Sequence, residues 1–362
     1  MSRITKATAR LVDIEVETVR TDAVQSFLKQ ETILVALETD DGLSGTGYSY
    51  TIGTGGTAVL SMLREHLLDQ LPGREAHDIE RLWRDLYAST RATAVGAITS
   101  LALAAVDTAL WDIRCRRAGL PLWQAAGGYQ HSVPVYDTEG GWLHLEQATL
   151  VEGAVESKKR GLRGVKLKVG KPTGVEDLER LRAVRDAVGP DFALMVDANQ
   201  SMNGAEAVRR ARLFETLDLE WFEEPLPADD VAGHAHLARS TSLPIAVGES
   251  LYSLAQFREY LQCGAAGIVQ VDVARVGGIT PWLKVAHLAE AFNVAVCPHF
   301  LMELHVSLAA AVPNGRYVEY IPQLRAVTHG ELEIRDGEAL APDAVGLGID
   351  WNQDALDDRR VA

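Results

Sequence analysis

Three short acidic stretches decide the fold: Val196-Asp197-Ala198-Asn199, Phe222-Glu223-Glu224-Pro225 and Gly248-Glu249-Ser250. Each follows a short apolar run, from Phe192 to Val196, Leu219 to Phe222 and Pro244 to Val247. Runs of that length between turn residues fit buried parallel strands. The acids stand where those strands end. Asp197 to Glu223 and Glu223 to Glu249 are equal intervals of 26 residues, room for one strand, one helix and two loops. Three successive βα units then deliver one carboxylate each to the same sheet edge. In a closed (β/α)8 barrel that edge is the C-terminal mouth, where chemistry sits.

Three carboxylates meeting in one mouth repel one another, and a hard divalent cation relieves the repulsion. All-oxygen ligands select Mg2+, or Mn2+, over zinc. Any one of the acids taken alone reads better as a solvated loop residue or a helix N-cap. Three at even spacing favour the metal.

The chain of 362 residues is long enough for a barrel of about 250 residues with a further domain. Its formal net charge of −15 disfavours nucleic acid and anionic membrane as partners. Cys115, Cys263 and Cys297 show no CxxC spacing and each sits in an apolar setting, so they read as buried thiols in a reducing compartment. Arg3, Lys6 and Arg10 are followed by no apolar signal region, and no apolar run reaches about 18 residues, the length a spanning helix needs. A cytoplasmic protein is the expectation.

Residues 4–19 and 31–50 alternate as strands do, with Asp40-Asp41-Gly42 as a hairpin turn. Arg20 to Lys29 is polar without a clear period, and Thr51 to Gly56 is glycine-rich; both read as flaps or connectors. Ala58 to Asp69, Asp78 to Ala88 and the very apolar Ala94 to Arg117 read as helices. Residues 1–125 thus form an α+β capping domain. From Val133 strands and helices alternate, with strands ending near Tyr136, Lys168, Asp197, Glu223, Gly248, Asp272, Pro298 and Glu319, eight in all. That places a (β/α)8 TIM-type barrel over residues 126–328. The tail, 329–362, carries a hairpin around Asp336-Gly337 that is expected to pack back on the capping domain.

Other candidates share the mouth. In Gly164-Val165-Lys166-Leu167-Lys168 the two lysines lie on one strand face. Burial and like charge lower a lysine's pKa, which makes a usable general base; taken alone, the pair reads equally well as lysines reaching solvent. Asp272 and His299 end neighbouring strands and suit a dyad in which the acid fixes the imidazole tautomer. Glu319 ends the last strand and would donate a proton or hydrogen bond if burial raised its pKa. Lys168 and His299 would face each other across the mouth, which suits proton chemistry beside a carboxylate.

The ordered set of Lys166 and Lys168, Asp197, Glu223, Glu249, Asp272, His299 and Glu319 resembles the enolase superfamily and its mandelate racemase subgroup. The segments around Lys168, Asp197, Arg275, His299 and Ile334 are most similar to the L-talarate/galactarate, or acid-sugar, dehydratases. The resemblance implies Mg2+ on Asp197, Glu223 and Glu249, with Lys168 as one base. His299, oriented by Asp272, is the other base or acid, and Glu319 assists. Lys166 and Asn199 meet a small-molecule carboxylate substrate, with Tyr50 and Phe300 beside them, in a homo-oligomer. One departure stands out: that pattern has a Lys-Arg pair where this chain has Ile52-Gly53. Three readings follow: dehydration of an acid sugar to a 2-keto-3-deoxy acid, racemisation or epimerisation of a 2-hydroxy acid, and a catalytically silent ligand-binding barrel. The complete set of acids and bases argues against the third.

Overall fold

The computed structural model describes residues 2–362. The cap opens with a three-stranded antiparallel sheet, β1 (Ile4–Thr21), β2 (Ser26–Thr39) and β3 (Ser44–Thr51), in that order. Gly42 turns β2 into β3 at φ 85°, a conformation that costs glycine nothing, and donates its N–H to Thr39 O at 3.1 Å. The expected aperiodic flap at 20–29 is instead the far end of one long hairpin: Arg20 pairs with Phe27 and Thr21 with Ser26. Asp22 makes the tip, its Oδ1 accepting from Val24 N–H at 2.7 Å and Gln25 N–H at 2.8 Å. A side chain that supplies its own turn can close a hairpin in a stretch without a clear period.

Three helices complete the cap: α1 (Gly56–Met62), α2 (Ile79–Ser89) and α3 (Ala97–Ala118). Helix α3 is apolar on nearly every side because it is buried on nearly every side, between the cap sheet and the barrel. Gly47 of β3 lets the two backbones touch; a Cβ there would lie 2.4 Å from Ala105 O. The short α4 (Leu122–Ala126) leads into the barrel.

The barrel runs β4 (Ser132–Asp137), α5 (Gln147–Lys159), β5 (Gly164–Lys168), α6 (Gly174–Val188), β6 (Ala193–Asp197), α7 (Gly204–Phe214), β7 (Trp221–Glu223), α8 (Val231–Ser240), β8 (Ile245–Val247), α9 (Leu254–Gln262), β9 (Ile268–Val269), α10 (Ile279–Ala291), β10 (Ala295–Val296), α11 (Met302–Ala311) and β11 (Val318–Tyr320). Neighbouring strands pair in parallel from β4 to β10, and β11 returns to pair with β4. The ring closes where Val296 donates to Asn314 O at 2.8 Å and accepts from Arg316 N–H at 3.0 Å, just ahead of β11. Eight strands result. Strands β9 and β10 are shorter than the sequence suggests, so Asp272 and His299 stand three residues beyond Val269 and Val296 rather than at strand ends.

The tail takes a different path from the expected one. Its hairpin, β12 (Ile334–Arg335) and β13 (Glu338–Leu340), joins the barrel: β13 pairs antiparallel with Ser132 to Pro134 of β4. The first half of β4 precedes its pairing with β5, which starts at Tyr136, so its edge is open to the hairpin. The return to the cap begins after the hairpin, where Leu347 N–H donates to Asp112 Oδ1 of α3 at 3.1 Å. Trp351 meets Tyr48 edge-on, α12 (Gln353–Asp358) follows, and Leu11 N–H donates to Ala362 O at 3.0 Å. Among the described residues no helix is long and apolar enough to cross a membrane. Cys115 and Cys297 are buried, but Cys263 is exposed: it caps α9 where the chain turns out at Gly264.

Candidate active site

The strand register builds the site. Lys168 of β5 is level with Asp197 of β6, and Asp197 with Glu223 of β7. Glu249 joins them just past β8, where Gly248 lets the chain press on Gln270; a Cβ there would sit 2.7 Å from the Gln270 backbone. Oxygens of Asp197, Glu223 and Glu249 all lie within 4.8 Å of one another, and all three residues are buried.

Two lysines answer part of that charge. Lys166 Nζ lies 2.8 Å from Glu223 Oε1 and 3.0 Å from Glu319 Oε1. Lys168 Nζ is hydrogen-bonded to Asp197 Oδ2 and stands 5.5 Å from the Trp142 ring. Burial raises the Asp197 pKa, and the two lysines outweigh it to hold the carboxyl below its ordinary range. Glu223 goes the other way: burial, then the charge of Asp197, pushes it up against the pull of Lys166. Lys166 is shared with buried Glu319, so Lys166, Lys168 and Arg275, 3.4 Å from Glu249, face four buried carboxylates and leave an anionic excess. An all-oxygen set with residual repulsion fits a hard divalent cation such as Mg2+.

Charge on the lysines differs from the sequence expectation. Burial does favour the neutral amine of Lys168, but the Asp197 carboxylate outweighs it and raises the pKa. Lys166 is raised further, through Glu223 and Glu319. Glu319 also departs from expectation. Burial opposes its ionisation, yet Lys166 and His299 hold the carboxyl well below the usual range. It accepts from Thr138 Oγ1 at 2.6 Å and from Phe300 N–H at 2.9 Å. In this structure it is bonded as an acceptor.

Asp272 and His299 do meet, at 2.9 Å between Oδ2 and Nδ1. Asp272 Oδ1 accepts from Ala274 N–H at 2.7 Å and Arg275 N–H at 3.1 Å. Burial resists its charge, but His299 brings the pKa down to about 2. An ionised, fully bonded Asp272 accepts the hydrogen bond of Nδ1–H and turns Nε2 toward the mouth, 3.4 Å from Glu249 Oε2. Tyr50 and Phe300, expected to line the substrate space, are tied to this dyad. Tyr50 Oη donates to Asp272 Oδ2 at 2.6 Å, and the Phe300 ring stacks between Tyr50 and His299. Asn199, at φ 44°, donates its N–H to Asp197 Oδ1 at 2.8 Å. Its buried side-chain oxygen has no partner among the described residues.

Residues 149–355 match the family described as enolase C-terminal domain-like, and residues 6–127 match the mandelate racemase / muconate lactonizing enzyme N-terminal domain. The chain belongs to the mandelate racemase group of the enolase superfamily. It is 38% identical over 332 residues to the L-talarate/galactarate dehydratase of Salmonella typhimurium, covering 91% of this chain and 83% of that protein. It is equally 38% identical over 320 residues, 88% of each chain, to the 3,6-anhydro-alpha-L-galactonate cycloisomerase of Streptomyces coelicolor. The crystal structure of the Salmonella dehydratase, liganded with Mg and L-lyxarohydroxamate, superposes with a TM-score of 0.95 at 35% identity, covering 100% of this chain and 93% of that one.

For a member of the enolase superfamily the supporting layer is as informative as the acids themselves, and sequence reasoning missed most of it. Arg275 Nη1 holds the Glu249 backbone oxygen at 3.0 Å and its side chain at 3.4 Å. Trp221 and Gln270 donate to Glu223 Oε2 at 2.9 and 2.6 Å. Trp221 carries a usable signal, since residues two apart share a strand face. Arg275 and Gln270 carry none, because they lie beyond strand ends in loops whose course the sequence does not set.

Proposed function

We propose that this protein removes the proton α to the carboxylate of an acid sugar and expels the β-hydroxyl as water, leaving a 2-keto-3-deoxy acid. One observation carries the reading: the row of acids has a base at each end, Lys168 on Asp197 and His299 beside Glu249. Asp197, Glu223 and Glu249 would hold Mg2+, or Mn2+. Bound there, the cation supplies Lewis-acid stabilisation of the charge that develops on the substrate carboxylate. With the charge of Asp197 met in this way, burial would lower the Lys168 amine toward a working base.

One base, Lys168 or His299, takes the α-proton, and the electron pair moves into an enediolate. His299 Nε2 gives a proton to the departing β-hydroxyl, the C–O bond breaks, and the enol becomes the ketone. Asp272 fixes the His299 tautomer through both changes of charge. Lys166 steadies the carboxylate end, Glu319 assists by holding the Lys166 ammonium in place, and the free oxygen of Asn199 accepts from a substrate hydroxyl. The name of the Salmonella relative and the sugar-acid ligand in its structure support this class of substrate.

Racemisation of a 2-hydroxy acid is the second reading, favoured by the same two opposed bases. The family resemblance adds a homo-oligomer to the proposal, the sequence reading adds a cytoplasmic setting, and the charge of −15 argues against nucleic acid as a partner. The test incubates protein and Mg2+ with acid sugars and with aryl or alkyl 2-hydroxy acids. Semicarbazide reads keto acid and polarimetry reads racemisation. Keto acid from a sugar acid supports dehydration; racemisation of an aryl acid with no keto acid from any sugar rejects it.

A further inference from the structure

The dyad of Asp272 and His299 is held by more than its own hydrogen bond. The segment that carries His299 runs on into α11, where His305 is fully buried. His305 Nε2 accepts from Val273 N–H, the peptide that follows Asp272, at 3.1 Å. A backbone N–H only donates, so His305 carries its proton on Nδ1 and is neutral. Burial brings its pKa down to about 4 against the pull of Asp272, which keeps that acceptor in place through the neutral range. The other flank is fixed as well: Trp282 Nε1 of α10 donates to Val271 O at 3.1 Å. The two rings stack on each other, 6.4 Å between centroids and 29° between planes.

These contacts bracket Asp272, which stands three residues beyond Val269, the last residue of β9. Past a strand end the backbone groups need partners from elsewhere, and here the two helices that follow supply them. One chain segment then grips the acid at two points. His299 Nδ1 meets the carboxylate at 2.9 Å, and His305 Nε2 meets the next peptide. Between them Phe300 is held at φ 72°, with its N–H on Glu319 Oε2 at 2.9 Å. The loop of contacts from Asp272 through His299 and His305 to Val273 is closed, so a change at His305 moves the acid relative to the imidazole. Lys168 stands outside it, bonded to Asp197.

We infer that His305, backed by Trp282, is a positioning residue that holds Asp272 in register with the His299 imidazole, and so serves the proton transfers of His299 and not those of Lys168. The inference rests on the proton-abstraction reading above and deepens it. His305 acts through a backbone N–H and moves no proton itself.

The test incubates the full-length, Mg2+-loaded protein in D2O with galactonate and with its C2 epimer talonate, and reads α-proton exchange by NMR. The epimer that depends on His299 is the one His299→Asn no longer exchanges. His305→Leu deletes the acceptor and keeps an apolar side chain in the buried space. It should lower exchange of that epimer by about tenfold or more, since a misplacement of about 1 Å costs about 10²-fold. Exchange of the other epimer should stay within about twofold of wild type, and His305→Gln, which retains an acceptor for Val273 N–H, should restore the first to within about threefold. Trp282→Phe keeps the ring and deletes the donor to Val271 O; it should lower the same epimer, and it guards against a folding defect in His305→Leu. A second readout needs no substrate: the downfield resonance of His299 Nδ1–H, bonded to Asp272, should move in His305→Leu and return in His305→Gln. An unmoved resonance, equal loss of both epimers, or undiminished exchange of the His299 epimer overturns the inference. A wild type that exchanges neither epimer overturns the proton-abstraction reading instead, and the resonance alone then decides the role of His305.

Discussion

Tyr50 Oη and Asp272 Oδ2 are 2.6 Å apart although 222 residues separate them, and the oxygen they share also holds His299. The cap thus reaches into the barrel and grips the acid that orients a candidate base.

Tyr50→Phe keeps the ring stacked on Phe300 and deletes only the donor. A buried hydrogen bond to a charged group contributes about 1.5–3 kcal/mol. Urea unfolding should show a loss of that size, and turnover should fall less than in His299→Asn, because Asp272 keeps its other donors. Unchanged stability in Tyr50→Phe would show that the contact contributes nothing.

The metal can be read without turnover. Three buried carboxylates within 4.8 Å of one another are destabilising unless their charge is met. Mg2+ at about 100 times its dissociation constant should stabilise the fold by about 2.7 kcal/mol. Glu249→Gln removes one anionic ligand and should weaken Mg2+ binding in calorimetry and abolish most of the thermal shift. Full activity in excess chelator, from protein free of metal, sinks the assignment.

Much of this site was legible because it depends on periodicity. The alternation that puts Lys166 and Lys168 on one face is a property of any strand, and the 26-residue interval between acids is a property of βα units. What stayed hidden depends on contacts between distant segments. The Glu319 carboxyl is held below its usual range because Lys166 lies 3.0 Å away, and nothing local to either residue says so. The partnership of Tyr50 with Asp272 is of the same kind. The flap was misread for a different reason: its turn is made by one side chain, Asp22, in a stretch with no glycine or proline to mark it. The tail hairpin went to β4 because an open strand edge was there to receive it, and an open edge is a feature of the assembled sheet.

The two bases should separate by stereochemistry. A general base contributes about 10²–10⁴-fold. Lys168→Ala and His299→Asn should each lose that much turnover with circular dichroism unchanged. In D2O, substrates of one α-configuration should still exchange in one variant and those of the other configuration in the second. Normal exchange of both configurations in both variants places the proton chemistry elsewhere.

The cap is locked to the barrel at a second point, and it titrates. Asp107 of α3 is buried, and its Oδ2 accepts from Thr280 N–H at 2.9 Å in the first turn of α10, while Oδ1 has no partner among the described residues. Gly278 makes room, since a Cβ there would sit 2.3 Å from Asp107 Oδ2. Burial pushes the Asp107 pKa up to about 7 from an ordinary 3.8, against the donors at Thr280 and Ile279. The sign follows from proton binding. The folded state holds this proton more tightly than the unfolded chain, so the contribution to stability is fullest below pH 3.8 and is lost as pH rises through about 7. Asp107→Asn keeps an acceptor for Thr280 and removes the titration. Urea midpoints between pH 5 and pH 8 should therefore fall less steeply with pH in Asp107→Asn than in wild type, and the variant should gain relative stability at pH 8. Parallel profiles for the two proteins would mean that Asp107 does not titrate in this range, and that the lock acts through the Thr280 hydrogen bond and packing at Gly278 without a pH dependence.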